Sequence, residues 1–175
     1  MSKLSKKVMP LVLIAVLGLF VMMPPVVLAD QYKVVRVLDG DTVTAAGQGG
    51  TIKIRLVGID APETGKKKHD PGQPFAQASK KYLTQMVLDK TITLKAYGQD
   101  RYGRVLGVLF AGEINVNLTM VAGGFAEVYR GRPPKGLLMK PYQIAESGAR
   151  TEKRGMWAQG PEYVSPKDYR AQKNG

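Results

Sequence analysis

Residues 51–64 read Thr-Ile-Lys-Ile-Arg-Leu-Val-Gly-Ile-Asp-Ala-Pro-Glu-Thr. In the first half of this stretch, apolar side chains alternate with Lys53 and Arg55. Successive side chains of a β-strand point to opposite faces, so the alternation predicts a strand with one apolar and one basic face. The second half leaves that strand through a glycine and places two carboxylates around Pro62.

The rest of the chain shows similar patterns on both sides of this stretch. Alternation and turn signals predict further strands over residues 31–38, 42–46, 91–97 and 104–110, and helical spacing of apolar residues predicts helices over 74–87, 117–122 and 138–149. Five strands with a helix after the third and two helices late predict an α+β fold, a closed five-stranded OB-type barrel with about three helices. We assign residues 30–160 to this domain and expect residues 161–175 to form a polar, flexible tail.

Residues 1–29 have the features of a secretory signal peptide. Three lysines precede the apolar run 8–21, two prolines follow it, and small residues come before the expected cleavage point after Ala29. Cleavage there would give a secreted or periplasmic protein, in a compartment where Ca²⁺ is plentiful. The alternative is an uncleaved membrane anchor, because residues 8–28 are nearly long enough to span a bilayer.

Composition narrows the possible chemistry. Lys and Arg total 26 against 14 Asp and Glu, so the net charge of +12 favours polyanionic partners such as nucleic acids. The chain has no cysteine and one histidine, His69. Disulfides, thiolate chemistry, a Cys/His zinc site and a catalytic histidine pair are therefore excluded. Catalysis would have to use carboxylates, Arg, Lys, Tyr or hydroxyl groups.

The strand-to-turn segment is the first candidate site. Arg55 lies on the face opposite the apolar side chains, and Asp60 and Glu63 follow where the strand ends. Pro62 stiffens the turn between these two carboxylates. A solvated loop does not require such an arrangement, although an ordinary Arg–carboxylate surface pair is the alternative interpretation.

Two further motifs carry charged residues at strand junctions. The sequence Asp-Gly-Asp-Thr at 39–42 is by itself typical of a hairpin turn, with Asp41 at the start of the next strand. The sequence Asp-Arg-Tyr-Gly-Arg at 100–104 opens the fifth predicted strand and alone indicates an ordinary basic hairpin. Neither motif is specific when considered separately.

Together, the three motifs supply what phosphodiester hydrolysis needs. A hard divalent cation requires several oxygen ligands, which Asp41 and Asp60 can provide. Glu63 can position or deprotonate a water molecule. Arg55 and Arg104 can hold a phosphate and stabilise the additional charge of the transition state.

These motifs, in this order and spacing and with the late Trp157, resemble the thermonuclease (staphylococcal nuclease-like) family over roughly residues 31–158. The resemblance implies an OB-fold barrel, Ca²⁺ dependence and endonucleolytic cleavage of DNA and RNA to 3′-phosphate products. It further implies that Asp41 and Asp60 bind Ca²⁺ directly, together with the backbone carbonyl of Ala61. Glu63 would then act on the attacking water, as general base or by positioning it.

The same resemblance assigns the phosphate-binding and nucleotide-binding residues. Arg55 and Arg104 would contact the scissile phosphate, and Arg101 and Tyr102 match positions near a bound nucleotide. Tyr129 is a further candidate, although residues 129–134 depart from the family's paired tyrosines. Lys66 and Lys67 could guide a polyanionic strand, with a merely solvated loop as the alternative.

Three other interpretations of the chain remain. One is an OB-type module that binds nucleic acid without cutting it, and a second is a membrane-anchored nuclease used in DNA uptake. A third is a structural Ca²⁺-binding protein, which would not call for two outward-facing arginines. The presence of all five charged residues favours the enzyme, and we expect it to act as a monomer with no protein partner.

Overall fold

The computed structural model describes residues 30–65 and 69–174. The predicted signal peptide, together with Lys66 and Lys67, lies outside the described residues. Across the two described ranges, no helix combines the length and apolar character needed to cross a bilayer.

The described chain alternates short strands with helices. The strands are β1 (Gln31–Val37), β2 (Thr42–Gly47), β3 (Gly50–Leu56), β4 (Ile59–Asp60), β5 (Thr91–Gln99), β6 (Val105–Ala111), β7 (Ile114–Asn115) and β8 (Glu127–Val128). The helices are α1 (Ala76–Val87), α2 (Val116–Ala122), α3 (Lys140–Thr151), a 3₁₀ helix (Gly155–Glu162) and α4 (Pro166–Asn174).

Five of these strands form the predicted closed barrel. Their order is β3-β2-β1-β5-β6, and β6 returns to pair with β3. The closing pair is parallel, with Ile54 opposite Val105 and Leu56 opposite Gly107. A β-carbon at Gly107 would come within 2.3 Å of the end of the Leu94 side chain, which would have to shift to admit it. The prediction of an α+β fold with a five-stranded OB-type barrel is confirmed.

The core fills the barrel and the space beneath α1 and α2. Its largest members are fully buried apolar side chains from the strands and helices, including Ile54, Leu83, Ile92, Leu109 and Met120. Apolar burial of this kind is the main source of stability for a chain without disulfides. The alternation seen in the sequence therefore marks the inner faces of β3 and β5, except that Ala96, expected to face inward, is exposed.

Asn117 is a buried polar residue that fixes the end of β3. Its side-chain amide donates to the carbonyls of Val57 (2.9 Å) and Gly107 (3.1 Å), and its oxygen accepts from the backbone N–H of Leu109 (3.0 Å). These bonds join α2 to both strands of the parallel closure. Because Val57 immediately precedes the turn that carries the candidate carboxylates, Asn117 sets where that turn begins.

The end of the chain differs from the prediction of a flexible tail over residues 161–175. The 3₁₀ helix extends into this segment, and α4 follows it. Ser165 caps α4: the N–H of Asp168 donates to Ser165 Oγ (3.1 Å), and Ser165 Oγ donates to the Asp168 carboxylate (2.7 Å). Pro166 occupies the first helical turn, where its missing N–H costs nothing. This adds a fourth α-helix to the three that the sequence predicts.

Candidate active site

Asp41 lies at the start of β2 and is nearly fully buried. Its backbone N–H donates to Asp39 Oδ1 (3.0 Å), so Asp39 serves the turn and leaves Asp41 to point elsewhere. Asp41 Oδ2 accepts from the backbone N–H of Ala61 (2.9 Å), and its Oδ1 accepts from the Thr42 hydroxyl (3.0 Å). Asp41 is thereby brought against a turn twenty residues further along the chain.

Arg55 joins two of the predicted carboxylates. Its Nη1 lies 2.5 Å from Asp41 Oδ2, and its Nη2 lies 3.1 Å from Asp60 Oδ1. Its side chain is only 15% exposed and that of Asp60 only 2%. Exposed ion pairs contribute little, but removal of one partner from a buried pair leaves an uncompensated charge. The interpretation as an ordinary surface pair is therefore wrong.

Asp60 and Glu63 occupy the turn that Pro62 stiffens. Asp60 is held in β4, which pairs with β8 so that Asp60 lies opposite Glu127. The backbone of Glu63 is bonded at both ends to Gln73, through its N–H to Gln73 Oε1 (3.1 Å) and through its carbonyl to the Gln73 N–H (2.8 Å). The Glu63 side chain remains 26% exposed, so it can meet solvent.

The electrostatics of this cluster favour additional positive charge. Burial raises the pKa of Asp41, and the carboxylates of Asp39 and Asp60 raise it further, while Arg55 lowers it. Burial lowers the pKa of Arg55, but Asp41 and Asp60 outweigh that effect and raise it, so the guanidinium stays charged. A cation placed beside Asp41 and Asp60 would stabilise both in their ionised forms.

The donor set fits a hard cation better than a transition metal. In the part of the chain that the structure describes, no group of three or more His, Cys, Asp or Glu side chains is arranged to hold a metal. Asp41 and Asp60 are nevertheless drawn together by Arg55, and the bond from Ala61 to Asp41 places that backbone beside them. Carboxylate and backbone oxygens with water are the ligands that Ca²⁺ accepts.

Arg104 immediately precedes β6, the strand that closes the barrel. In that closure Arg55 lies opposite Leu106, two residues beyond Arg104. Its guanidinium is bound to Asp100, with Nε 2.8 Å from Oδ2. Arg104 is therefore held by its own hairpin, next to the strand that pairs with β3.

The remaining predicted site residues that the structure describes lie on the β5–β6 hairpin and just after β8. Arg101 and Tyr102 form the tip of the β5–β6 hairpin, where the Arg101 guanidinium lies 4.8 Å from the centre of the Tyr102 ring. Tyr102 is 67% exposed, which leaves an aromatic surface open to solvent. Tyr129 is partly exposed and is tied to the candidate turn by its N–H bond to the Gly58 carbonyl (3.0 Å). A nucleotide-binding role for these three residues stays a prediction.

The structure adds Arg170, which the sequence interpretation missed. Its Nη2 lies 2.7 Å from Asp60 Oδ2, while its Nη1 lies 3.1 Å from Asp60 Oδ1 and 2.6 Å from Glu63 Oε1. Hydrogen bonding to Asp60 and Glu63 raises the pKa of Arg170, so it remains a cation. The sequence Ser-Pro-Lys-Asp at 165–168 could have predicted a helix here, but no sequence pattern indicates where such a helix docks.

A second missed residue is Glu127, which is fully buried behind Asp60. Its Oε2 accepts from Arg130 (3.0 Å) and from the Tyr163 hydroxyl (2.5 Å). Burial raises the pKa of Glu127, and the bonds from Tyr163 and Arg130 lower it. This network supports the strand pair that carries Asp60.

Comparison with known proteins identifies several similar chains. A family model described as "Staphylococcal nuclease homologue" matches residues 53–159. An uncharacterized endonuclease from Escherichia coli is 39% identical over 155 residues, covering 87% of this chain and 90% of the relative. One from Haemophilus influenzae is 36% identical over 141 residues, covering 80% and 72%. A micrococcal nuclease from Shigella flexneri is 34% identical over 153 residues, covering 81% and 82%.

Proposed function

Because this chain belongs to the staphylococcal nuclease homologue family and is therefore a nuclease, we propose that it is a Ca²⁺-dependent endonuclease acting on both DNA and RNA. The observation that carries the proposal is the buried pair of Asp41 and Asp60, bridged by Arg55, with Glu63 beside it and partly exposed. The names of the E. coli and Shigella relatives support an endonuclease.

Asp41, Asp60 and the backbone carbonyl of Ala61 would hold the Ca²⁺ ion. A bound Ca²⁺ supplies Lewis-acid polarisation of a phosphate oxygen. Arg55 keeps the two carboxylates together, since its Nη1 and Nη2 each contact one of them. The N–H of Ala61 holds Asp41 in place from the other side.

Glu63 acts on the water that attacks phosphorus. The attacking oxygen forms a bond to phosphorus, Glu63 accepts or orients the proton that is released, and the bond to the 5′ oxygen breaks. The 5′ oxygen takes up a proton from solvent, so the products carry a 3′-phosphate and a 5′-hydroxyl. The partial exposure of Glu63 supports this role, because the water must reach its carboxylate.

Arg55 and Arg104 stabilise the charge that develops on the phosphate. Arg55 lies on β3, and Arg104 immediately precedes β6, the strand that pairs with β3. The Asp100 carboxylate bonds the Arg104 guanidinium through Nε, which leaves its two Nη groups to bind a phosphate. Planar guanidinium groups suit the equatorial oxygens of a pentacoordinate phosphate.

The nucleic acid would approach the site along the β5–β6 hairpin. Arg101 and Tyr102 offer a charge and an exposed aromatic ring to the strand, and Tyr129 offers a second ring. Lys66 and Lys67, outside the described residues, would add positive charge to the approach. The net charge of +12 supports attraction of a polyanion over a longer range.

We further propose that the enzyme is exported, either secreted or periplasmic, after removal of residues 1–29. The apolar run behind three lysines supports this proposal. Mass spectrometry of the protein purified from its native host distinguishes export from anchoring. A chain beginning at Asp30 indicates a released protein, whereas a chain retaining residues 1–29 in the membrane fraction indicates an anchor.

A cleavage assay with defined substrates tests the proposed activity. Purified protein is incubated with single- and double-stranded DNA and with RNA, in Ca²⁺, in Mg²⁺ or in a chelator. We expect internal cuts in the Ca²⁺ reactions, and mass spectrometry of the fragments should find the phosphate on the 3′ side of each cut. Binding without Ca²⁺-dependent cleavage would instead identify a non-catalytic module.

A further inference from the structure

Helix α4 places a cation in the middle of the candidate active site. Arg170 contacts both carboxylate oxygens of Asp60 and one oxygen of Glu63 at distances between 2.6 and 3.1 Å. These contacts span 107 and 110 residues of sequence. The end of the chain is therefore folded back onto the turn where hydrolysis would occur.

The attachment of α4 is polar along its length. Val164, just before the helix, accepts a hydrogen bond from Gln73 Nε2 (2.6 Å), and Gln73 also holds the backbone of Glu63. At the other end of the helix, Lys173 forms an ion pair with Asp70. The Lys173–Asp70 pair is partly exposed and contributes little, whereas Asp60 is buried, so its charge must be compensated by a cation when Arg170 leaves.

The contacts of Arg170 compete with those that the proposed reaction needs. A divalent cation needs an oxygen of Asp60, and both oxygens are engaged by Arg170. The attacking water needs Glu63, and its Oε1 accepts from the same guanidinium. Arg55 also contacts Asp60, but only through Oδ1, whereas Arg170 takes Asp60 Oδ2 and Glu63 Oε1 as well.

We propose that α4 is an autoinhibitory strap in which Arg170 competes with the divalent cation for Asp60 and Glu63. The proposal rests on the proposed function, because it assigns those two carboxylates to the cation and the water. Binding of the cation displaces Arg170, and the released helix, which also carries Lys167 and Lys173, is then free to meet the phosphate backbone. Because only open molecules bind the cation, the apparent affinity equals the intrinsic affinity multiplied by the fraction of molecules that are open.

Calorimetric titration of Ca²⁺ into the full chain, without nucleic acid, tests the competition. If nine molecules in ten are closed, Arg170→Gln should lower the Kd for Ca²⁺ by about tenfold. Lys167→Gln is the matched control, since it removes the same charge from an exposed position on the same helix. We expect its Kd to stay within about twofold of the wild type, as for an exposed charge screened by solvent.

A second variant separates strap opening from simple removal of charge. Ser165→Ala deletes the helix cap and leaves every charge of the site in place. It should also lower the Kd for Ca²⁺, and in the wild type Ca²⁺ should speed amide hydrogen exchange over residues 166–174. The strap would be overturned if Arg170→Gln alone bound Ca²⁺ more tightly, while Ser165→Ala left the Kd unchanged and Ca²⁺ left amide exchange over residues 166–174 unchanged. Arg170 would then act only through its charge.

The outcomes also distinguish this inference from the proposed function. If the wild type binds Ca²⁺ and cleaves nucleic acid, but neither variant binds Ca²⁺ more tightly, the strap alone is wrong. If Arg170→Gln binds Ca²⁺ more weakly, Arg170 is a supporting residue and the inference is overturned. If no variant binds Ca²⁺, both the metal assignment and the strap fail.

Discussion

At the scale of single residues, the site depends on Arg55 and on what covers it. The alternation of β3 predicted that Arg55 faces away from the core, and the structure agrees. The sequence could not predict that the Arg55 side chain would be only 15% exposed, because the side chains that contact it, Asp41 and Asp60, lie on other segments of the chain. Burial by distant segments has no periodic signal along the chain.

The two arginines of the β5–β6 hairpin should differ sharply when each is replaced by alanine. Arg104→Ala should lower kcat by a factor of about 10²–10³, comparable to the loss of one oxyanion donor. Arg101→Ala is the matched control, since the contact that we propose for Arg101 is to the nucleotide and not to the scissile phosphate. We expect that control to raise KM and to change kcat by less than about threefold.

Steady-state kinetics on a short single-stranded substrate in saturating Ca²⁺ separate these effects. Equal losses of kcat in both variants would contradict a specific role for Arg104 at the scissile phosphate.

Gly40 shows how closely the turn before β2 is packed. A β-carbon at this position would come within 1.9 Å of Ser79 Oγ and 2.7 Å of the Ala61 β-carbon. Gly40→Ala should therefore destabilise the protein by about 2 kcal/mol, as other overpacking substitutions do. It should also weaken Ca²⁺ binding, since the displaced turn joins Asp41 to Ala61.

Gly49→Ala is the control for this substitution, because a β-carbon at Gly49 would meet no other atom within 4 Å. Urea unfolding should give a free energy within about 0.5 kcal/mol of the wild type for Gly49→Ala. A loss at Gly40 no greater than at Gly49 would contradict the packing described here.

At the scale of elements, the sequence predicted the strands and helices whose apolar residues repeat with a clear period and missed those without such a repeat. The five long strands and the first three helices each repeat their apolar positions often enough to be recognised. The pair β4 and β8 has two residues per strand, which is too short for a period, yet it positions Asp60. The N-cap of α4 was visible in the sequence at Ser165, but the docking of α4 on the site was not.

Asn117 connects α2 to the two strands that close the barrel, so its loss should affect both stability and activity. Asn117→Ala would leave a buried N–H and two carbonyls without this partner, and we expect a loss of about 3 kcal/mol in the free energy of unfolding. Cleavage should also fall, because Val57 sets the start of the turn bearing Asp60 and Glu63.

Asn115→Ala provides a comparison within the same helix. Asn115 caps α2 by accepting from the Leu118 N–H (3.0 Å), and loss of such a cap costs about 1 kcal/mol. Urea unfolding of both variants measures the difference. Similar losses in the two would show that the buried network of Asn117 contributes less than its three bonds indicate.

At the scale of the whole molecule, composition and fold order predicted the architecture well. Absence of cysteine and of a second histidine excluded most hydrolytic chemistries, and the order of strands and helices indicated the closed barrel. The sequence did not predict that the end of the chain would return to the site. That contact joins Arg170 to Asp60, and it depends on the folded barrel rather than on a local pattern.

The positive charge of the whole molecule should make nucleic-acid binding strongly dependent on salt. Affinity for single-stranded DNA, measured by fluorescence anisotropy in chelator, should fall linearly on a log–log plot with a slope of about −0.7 per phosphate contacted. Arg101→Ala should make the slope shallower by about one contact. A slope near zero would contradict electrostatic binding of the phosphate backbone.

The most direct test of the central claim is single-turnover cleavage by Glu63→Ala. The buried carboxylate pair and both arginines remain in this variant, so Ca²⁺ and nucleic acid should still bind, whereas the group that acts on water is gone. We expect the cleavage rate in saturating Ca²⁺ to fall by a factor of at least about 10², as for loss of a general base. A rate equal to that of the wild type, with binding intact, would contradict the assignment of this site to hydrolysis.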